Sequence, residues 1–565
     1  MKSVLVIFGE NVPSKPKKWF RQFDEIIGPK ELQNFISPGS IQQAYELSNK
    51  LSRLTLPDGS RLSKLINLQG YELWWMHYES IHYKFCLPYT QYRKLLLYLK
   101  DFEKVSLFRA PCPHLFQYFL KAHNRRCTVI NRFRFRNLLP VPPGVFIQCL
   151  LSLGFLLWLK ITRPGLMVRT SDKFDPPHDF DYRQKFIYEE LRKRGIPFVE
   201  FIRSLESSKT VLEHAWQRKR PVVYSTAIIQ FINSFANCFG HYAPSFSGTD
   251  PEDRFWFLVA THYLRNLKGT VWSIKAMKFI LQWIGVKVAI TTAGCNRTFY
   301  EVLGCKLAGI KTVGIQHGAI PRYYFVSDFM PEFDGKKPLS LDKYGLWSDW
   351  WQDYYLKYGR AFKPEQLGVS GHMRPLEKEN VEEVVPGDSA FGGPLKILFI
   401  SEQLADPKEI MPYLSALLPI KDFVLSLKIR PQRDGFEDWL KKNEPGVLER
   451  VKILRGDIRQ AISQSDVIVG SHSTAVLEAM AQLKPFIFFR TAKWGDYFDI
   501  KTLDSQGRFF AEDPRDLINK VRKSIDVPKE DLRKLQEMFF GNPYQNGSKW
   551  VVERAIEFLE QAPKR

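Results

Sequence analysis

Short apolar runs alternate with longer amphipathic stretches along almost the whole chain, and that rhythm constrains the fold more than any other feature. Apolar runs bounded by Gly, Pro and polar clusters read as strands, the amphipathic stretches between them as helices, and their alternation predicts parallel α/β layers. Strands are predicted at Val4–Phe8, Val105–Arg109, Thr128–Asn131, Leu166–Arg169, Pro197–Phe201, Val222–Ser225, Val288–Thr291, Thr312–Gln316 and Tyr344–Trp347. A second series follows at Lys396–Ser401, Phe423–Ile429, Val451–Leu454, Val467–Val469 and Phe486–Phe489. The expectation is two α/β sheets, one after the other. The joint is 381–394, where Glu382, Glu383, Pro386, Gly387, Gly392, Gly393 and Pro394 leave little to bury. This divides the chain into 1–380, the linker, 395–540 and a C-terminal segment 541–565. In that segment Val551, Val552, Ala555, Ile556 and Leu559 recur at helical spacing.

The 565 residues suffice for two or three domains with large cores. Lys and Arg number 82 against 60 Asp and Glu, a net charge of +22, which calls for a polyanionic partner. Nucleic acid lacks support, because there is no zinc knuckle, RNP-type strand or helix-turn-helix pattern. Seven scattered cysteines without a Cys-x-x-Cys pair argue against a disulfide framework or a zinc site. The five-residue run Val4–Phe8 is too short for a secretory signal, so a cytoplasmic protein is expected.

From Lys121 to Thr170 there are nine basic residues and no acidic one. That block contains Val145–Leu159, apolar except for Gln148 and Ser152, which is shorter than the ~20 residues of a spanning helix. It reads either as a buried helix or as a segment resting on a membrane. Two features favour the membrane: arginines alternating with aromatics at Arg132, Arg134 and Arg136, and the Trp158-Leu159-Lys160 end. Anionic lipid gains on the order of 1 kcal/mol per nearby Lys or Arg, so the expected partner is the anionic inner face of a cytoplasmic membrane.

Two segments carry chemistry. In Asp466–Met480 an apolar strand runs into Gly470-Ser471-His472-Ser473-Thr474 and then into an amphipathic helix containing Glu478. Backbone N–H groups, hydroxyls and the positive end of a helix dipole converge there, which suits a phosphate; Ser473 or Thr474 acting only as a helix cap is the alternative. Lys428 and Arg430 end a neighbouring strand, and Glu402 follows the first strand of the same series. Ligands of open α/β sheets bind at that carboxyl edge, so these residues are expected around a nucleoside phosphate. The other segment is Gly309–Gly318, a strand ending in Gln316-His317-Gly318, which delivers an amide and an imidazole to a sheet edge with glycine permitting a tight turn.

Together, Gly314-Ile315-Gln316-His317-Gly318 and Ser471-His472-Ser473-Thr474-Ala475 with Glu478-Ala479 resemble the GT-B glycosyltransferases of bacterial surface-polysaccharide synthesis, including the capsule, polysialyl- and glycerophospho-transferase groups. The resemblance covers roughly 288–489, and Gly368–His372 is similar to the strand and glycine that precede the linker in such enzymes. It implies two Rossmann-like domains facing across a cleft, with the basic apolar helix inserted in the first. The C-terminal domain would hold a nucleotide-sugar and the N-terminal domain a glycan or glycolipid acceptor. It further implies Gln316, Gly318, Glu402, Lys428, Arg430, Ser471, His472, Ser473, Thr474 and Glu478 around the donor, with His317 or Glu10 as general base and neither metal nor cofactor. Arg430-Pro431 stands where several of these groups have His-Pro, and a guanidinium binds phosphate but releases no proton. A sugar-nucleotide 2-epimerase would share the fold, but its Asp-Ser-Gly-Gly turn is missing from Gly470–Thr474; a non-enzymatic membrane-associated scaffold, in which both motifs are structural, is the other alternative.

Overall fold

The computed structural model describes residues 2–9, 20–37, 39–130, 141–171, 181, 184–203, 208–218, 220–236, 239, 248–292, 299–375, 393–402, 405–429 and 435–563. Among these, Glu10, Arg132, Arg134, Arg136 and Arg430 and nearly all of the 381–394 joint do not appear.

The chain is α/β throughout, with three parallel sheets. In the first unit β1 (Ser3–Ile7) and β2 (Glu25–Ile27) are followed by a small antiparallel hairpin, β3 (Asn67–Leu68) and β4 (Tyr71–Glu72), then β5 (Lys104–Phe108) and β6 (Arg126–Ile130). The sheet order is β2-β1-β5-β6. The middle unit holds β7 (Leu166–Ser171), β8 (Phe198–Arg203), β9 (Val222–Val223), β10 (Val288–Thr291), β11 (Lys311–Ile315), β12 (Lys343–Leu346) and β13 (Leu367–Val369), ordered β13-β12-β11-β10-β7-β8-β9. The last unit holds β14 (Leu395–Ile400), β15 (Phe423–Lys428), β16 (Lys452–Leu454), β17 (Val467–Gly470), β18 (Phe486–Phe489) and β19 (Phe510–Ala511), ordered β16-β15-β14-β17-β18-β19.

The single sheet expected for the first two-thirds is therefore two. Strand rhythm marks where strands are but not which of them pair, and the chain leaves one sheet for the other between β6 and β7. Central strands were the most legible. In β10, β17 and β18 every residue is buried, as continuous apolar runs covered on both faces require.

Helices cover both faces of the middle sheet. On one side lie α1 (Pro143–Thr162), α2 (Ser208–Gln217), α3 (Ser225–Ala236) and α4 (Leu267–Trp283). α1 is longer than the predicted run, and only one edge of it is covered. Its buried residues are Gln148, Ser152, Leu156 and Leu159. The Ser152 hydroxyl accepts the Tyr224 N–H at 2.8 Å and donates to the Gln148 carbonyl at 2.8 Å.

In the last unit, α5 (Thr474–Ala481) follows β17. The C-terminal helix, α6 (Gly547–Gln561), returns to the middle unit, where Val551, Val552 and Ala555 pack on Leu166, Val168, Val313 and Ile315. Its entry is a contact between two glycines. Gly371 has φ +83°, and a side chain on Gly547 would begin 2.5 Å from the Gly371 carbonyl oxygen. Gly547 N–H donates to the His372 carbonyl at 2.9 Å and the Ser548 hydroxyl to that of Met373 at 2.8 Å.

Candidate active site

Because each sheet is parallel, every strand delivers its following residue to the same edge. His317 lies just beyond β11, Glu402 beyond β14 and Ser471 beyond β17, while Lys428 is the last residue of β15. The β14–β15 register pairs Ile400 with Lys428 and the β14–β17 register pairs Phe399 with Val469, which sets the last three side by side.

At the β17–α5 turn the Ser473 hydroxyl accepts from the Ala475 N–H at 3.3 Å, so it caps α5. Ser471 is different: its hydroxyl is buried with no hydrogen-bond partner among the described residues. A buried hydroxyl left in that state costs about 1–3 kcal/mol, which a bound acceptor oxygen would recover. His472 is buried under Trp494 and Tyr497, with ring centroids at 6.1 and 5.0 Å, and its Nε2 meets the Thr491 hydroxyl at 2.9 Å. Burial, aided by Lys493, lowers its pKa to about 3, so it is a neutral packing group rather than a cationic phosphate ligand. Lys428 is buried, its ammonium donating to the Ile429 carbonyl at 3.2 Å; burial lowers its pKa while Asp457 opposes the shift. Burial, then Tyr324 and Tyr83, and least the nearby Glu402 raise the Tyr497 phenol well above its ordinary value; Glu402 is itself buried. Glu478 pairs with Arg459 at 3.5 Å and reaches towards His372 of the middle unit, whose protonation it favours.

His317 is half-buried and its Nδ1 lies 2.7 Å from the Thr292 carbonyl. A carbonyl only accepts, so Nδ1 donates to it and that contact fixes the orientation of the ring. Gln316 turns inward. Its amide oxygen accepts the Trp347 N–H at 3.1 Å, and its own carbonyl accepts the Trp347 indole N–H at 2.9 Å, fixing the end of β11 against β12. Gly318 faces the opposite unit: a side chain there would begin 4.0 Å from the Thr474 methyl group. The two motifs that the sequence sets more than 150 residues apart are thus one place.

What holds them together was not predicted. After His317 the segment Arg322–Phe325 crosses to the last unit. The Arg322 guanidinium lies 3.2 Å from the Asp499 carboxylate, to which the Tyr354 hydroxyl also donates at 2.9 Å. Tyr324 packs on Trp494 and Tyr497 at 5.7 and 4.8 Å, and its carbonyl accepts the Tyr83 hydroxyl of the first unit at 2.7 Å. Those aromatics, and the buried Trp74 and Trp75 of the first unit, fill core between units. Asp496 accepts the Ile500 and Lys501 N–H groups, yet burial, with Asp499 nearby, raises its carboxyl to about 6. Among the described residues no cluster of His, Cys, Asp and Glu has the makings of a metal site.

No protein-family model and no curated protein matches the sequence. Solved structures similar to it include a putative UDP-N-acetylglucosamine 2-epimerase from Listeria monocytogenes, at 13% identity and TM-score 0.39, covering 70% of this chain and 97% of that one. A glycosyltransferase from Rickettsia africae matches at 14% identity and TM-score 0.38, covering 70% and 99%. MurG of Acinetobacter baumannii matches at 12% identity and TM-score 0.42, covering 69% and 99%. Likenesses this distant carry no chemistry; the fold stands on its strand order and the site on its own geometry.

Proposed function

We propose that the chain is a glycosyltransferase that moves a sugar from a nucleotide-activated donor to a hydroxyl of a glycan or glycolipid. The observation that carries this reading is the meeting of the His317-Gly318 turn with the Ser473-Thr474 turn across the junction of two parallel sheets. The donor phosphates take the N-terminal end of α5, the Ser471 and Thr474 hydroxyls and the Lys428 ammonium. The helix dipole and the cation stabilise the negative charge that grows on the leaving nucleoside phosphate. His317 Nε2 takes the acceptor hydroxyl proton as that oxygen bonds to the anomeric carbon and the bond from that carbon to the phosphate oxygen breaks. Glycine at 318 leaves the space between the turns open to the acceptor.

Thermal unfolding in the presence of CMP-, CDP-, UDP- and GDP-linked sugars tests the donor half. One nucleotide class should raise the melting temperature, and Ser471→Ala combined with Thr474→Val should remove most of that rise. No stabilisation by any of them would overturn the reading.

A further inference from the structure

α1 is built inside out. The two polar residues in the middle of its apolar run, Gln148 and Ser152, face the protein, whereas Leu157 and Ile161 are 68% and 82% exposed. A helix on a water-soluble surface shows the opposite arrangement, and contiguous exposed apolar surface marks an interaction site.

The exposure continues beyond α1. On α4, Phe279 is 64% exposed and stacks on Trp283, which carries the Lys160 ammonium of α1 at 4.2 Å. Further along α4, Trp272 joins Phe235 of α3 and Phe239, with centroids 6.5 and 6.0 Å away, and Lys268 lies over Trp272 at 5.6 Å. On α2, Trp216 is 92% exposed. α1, α3 and α4 contain Lys160, Lys268, Lys275 and Lys278 and not one Asp or Glu. Beside α1 opens a cavity of about 720 Å³ walled by Leu151, Phe155 and Trp158 together with Arg218 and Arg220. Both of those guanidiniums lean on one buried carboxylate, Glu200, at 3.1 and 3.0 Å.

We infer that the outer face of α1–α4 docks on the surface of an anionic bilayer. Its composition decides the occupant: aromatics paired with lysines suit the headgroup boundary, where a ring enters the apolar layer and a cation meets lipid phosphate. α1 has the 20 residues and the apolar content a crossing needs, but its Ser152 hydroxyl accepts the Tyr224 N–H that follows β9, so it is inferred to lie on the bilayer rather than to cross it. The inference is independent of the transfer reading, since it concerns a different face of the middle unit.

The test is co-sedimentation of the full chain with vesicles of phosphatidylcholine alone and of phosphatidylcholine mixed with phosphatidylglycerol. Binding should favour the anionic vesicles, weaken as salt shortens the Debye length, and fall by at least about tenfold for Leu157→Ser with Ile161→Ser. Trp216→Ala should weaken it separately. All three side chains are exposed, so the melting temperature of the variants should match the parent. Absence of binding, equal binding to both vesicles, or variants that bind like the parent would overturn the inference. So would a dimer in solution that these substitutions dissociate, because a second copy would then be the occupant; and so would retention in vesicles through an alkaline wash, which marks a spanning helix.

Discussion

Under the proposed transfer reading, the two turns divide donor binding and proton transfer between different residues. His317 is oriented by its Nδ1 contact with the Thr292 carbonyl, on the opposite side of the junction from Ser471 and Lys428. His317→Ala is therefore expected to leave nucleotide affinity unchanged and to lower the transfer rate by about 10²–10⁴, the range of a lost general base. Calorimetric titration beside a turnover assay checks this, and unchanged turnover would remove His317 from the site. Asp499 supports a second prediction. It sits at φ +56°, a backbone state Asn adopts more readily than other side chains, so Asp499→Asn removes charge without new strain. Arg322 would lose its counter-charge while Tyr354 kept an acceptor, at a cost of about 2 kcal/mol in denaturant unfolding. Asp499→Ala should cost roughly 1–2 kcal/mol more, because the left-handed state then lacks a tolerant side chain.

How much of an element is legible depends on whether its signal is local. β10 and β18 coincide with the strands expected from sequence, because a strand buried on both faces writes its whole length in apolar residues. β3, β4 and β19 have two residues each and went unpredicted, whereas the equally short β9 was found because it begins a longer apolar run. The motifs of the site were readable because each is a strand end followed by a turn. That they share a site was readable only through resemblance, and the Arg322–Asp499 contact joining them connects positions with no local relation. α1 shows a subtler limit: composition reveals an apolar helix but not that its polar edge is the covered one. α6 was legible as a helix, but the unit on which it docks was not. Its docking turns on the Gly371–Gly547 contact, so Gly547→Ala, which sets a methyl 2.5 Å from a backbone oxygen, should detach it. The expected outcome is early proteolytic release of a C-terminal fragment and a lower melting temperature, with Ser548→Ala much milder.

For the whole molecule, the buried histidines govern how stability responds to acid. Burial lowers the pKa of His77, His262 and His372 to about 4 and of His82 and His472 to about 3. Between those values and the ordinary 6.5, the unfolded chain binds protons that the folded chain does not, so stability falls as pH drops below 6.5. At pH 5 each contributes a loss of about 2 kcal/mol, at 1.36 kcal/mol per unit. Asp496, raised to about 6 from 3.8, acts in the opposite direction, because the folded state holds its proton first; at pH 5 it returns roughly 1 kcal/mol. The losses are unevenly placed. His77 and His82 belong to the first unit, and His262 stacks against its Phe85 and hydrogen-bonds Tyr118 at 2.8 Å. Three of the five shifts therefore fall on the first unit and its contact with His262, where His262 also opposes the protonation of His77. The first unit is expected to unfold before the other two on acidification. Melting curves should be flat from about pH 8 to 7 and fall steadily below 6.5. A first acid transition should appear in the near-ultraviolet signal of aromatics such as Trp74 and Trp75, while the nucleotide-dependent stabilisation of the remaining units persists. His262→Gln should reduce the pH slope by about one proton, and a melting temperature constant down to pH 5 would refute the account.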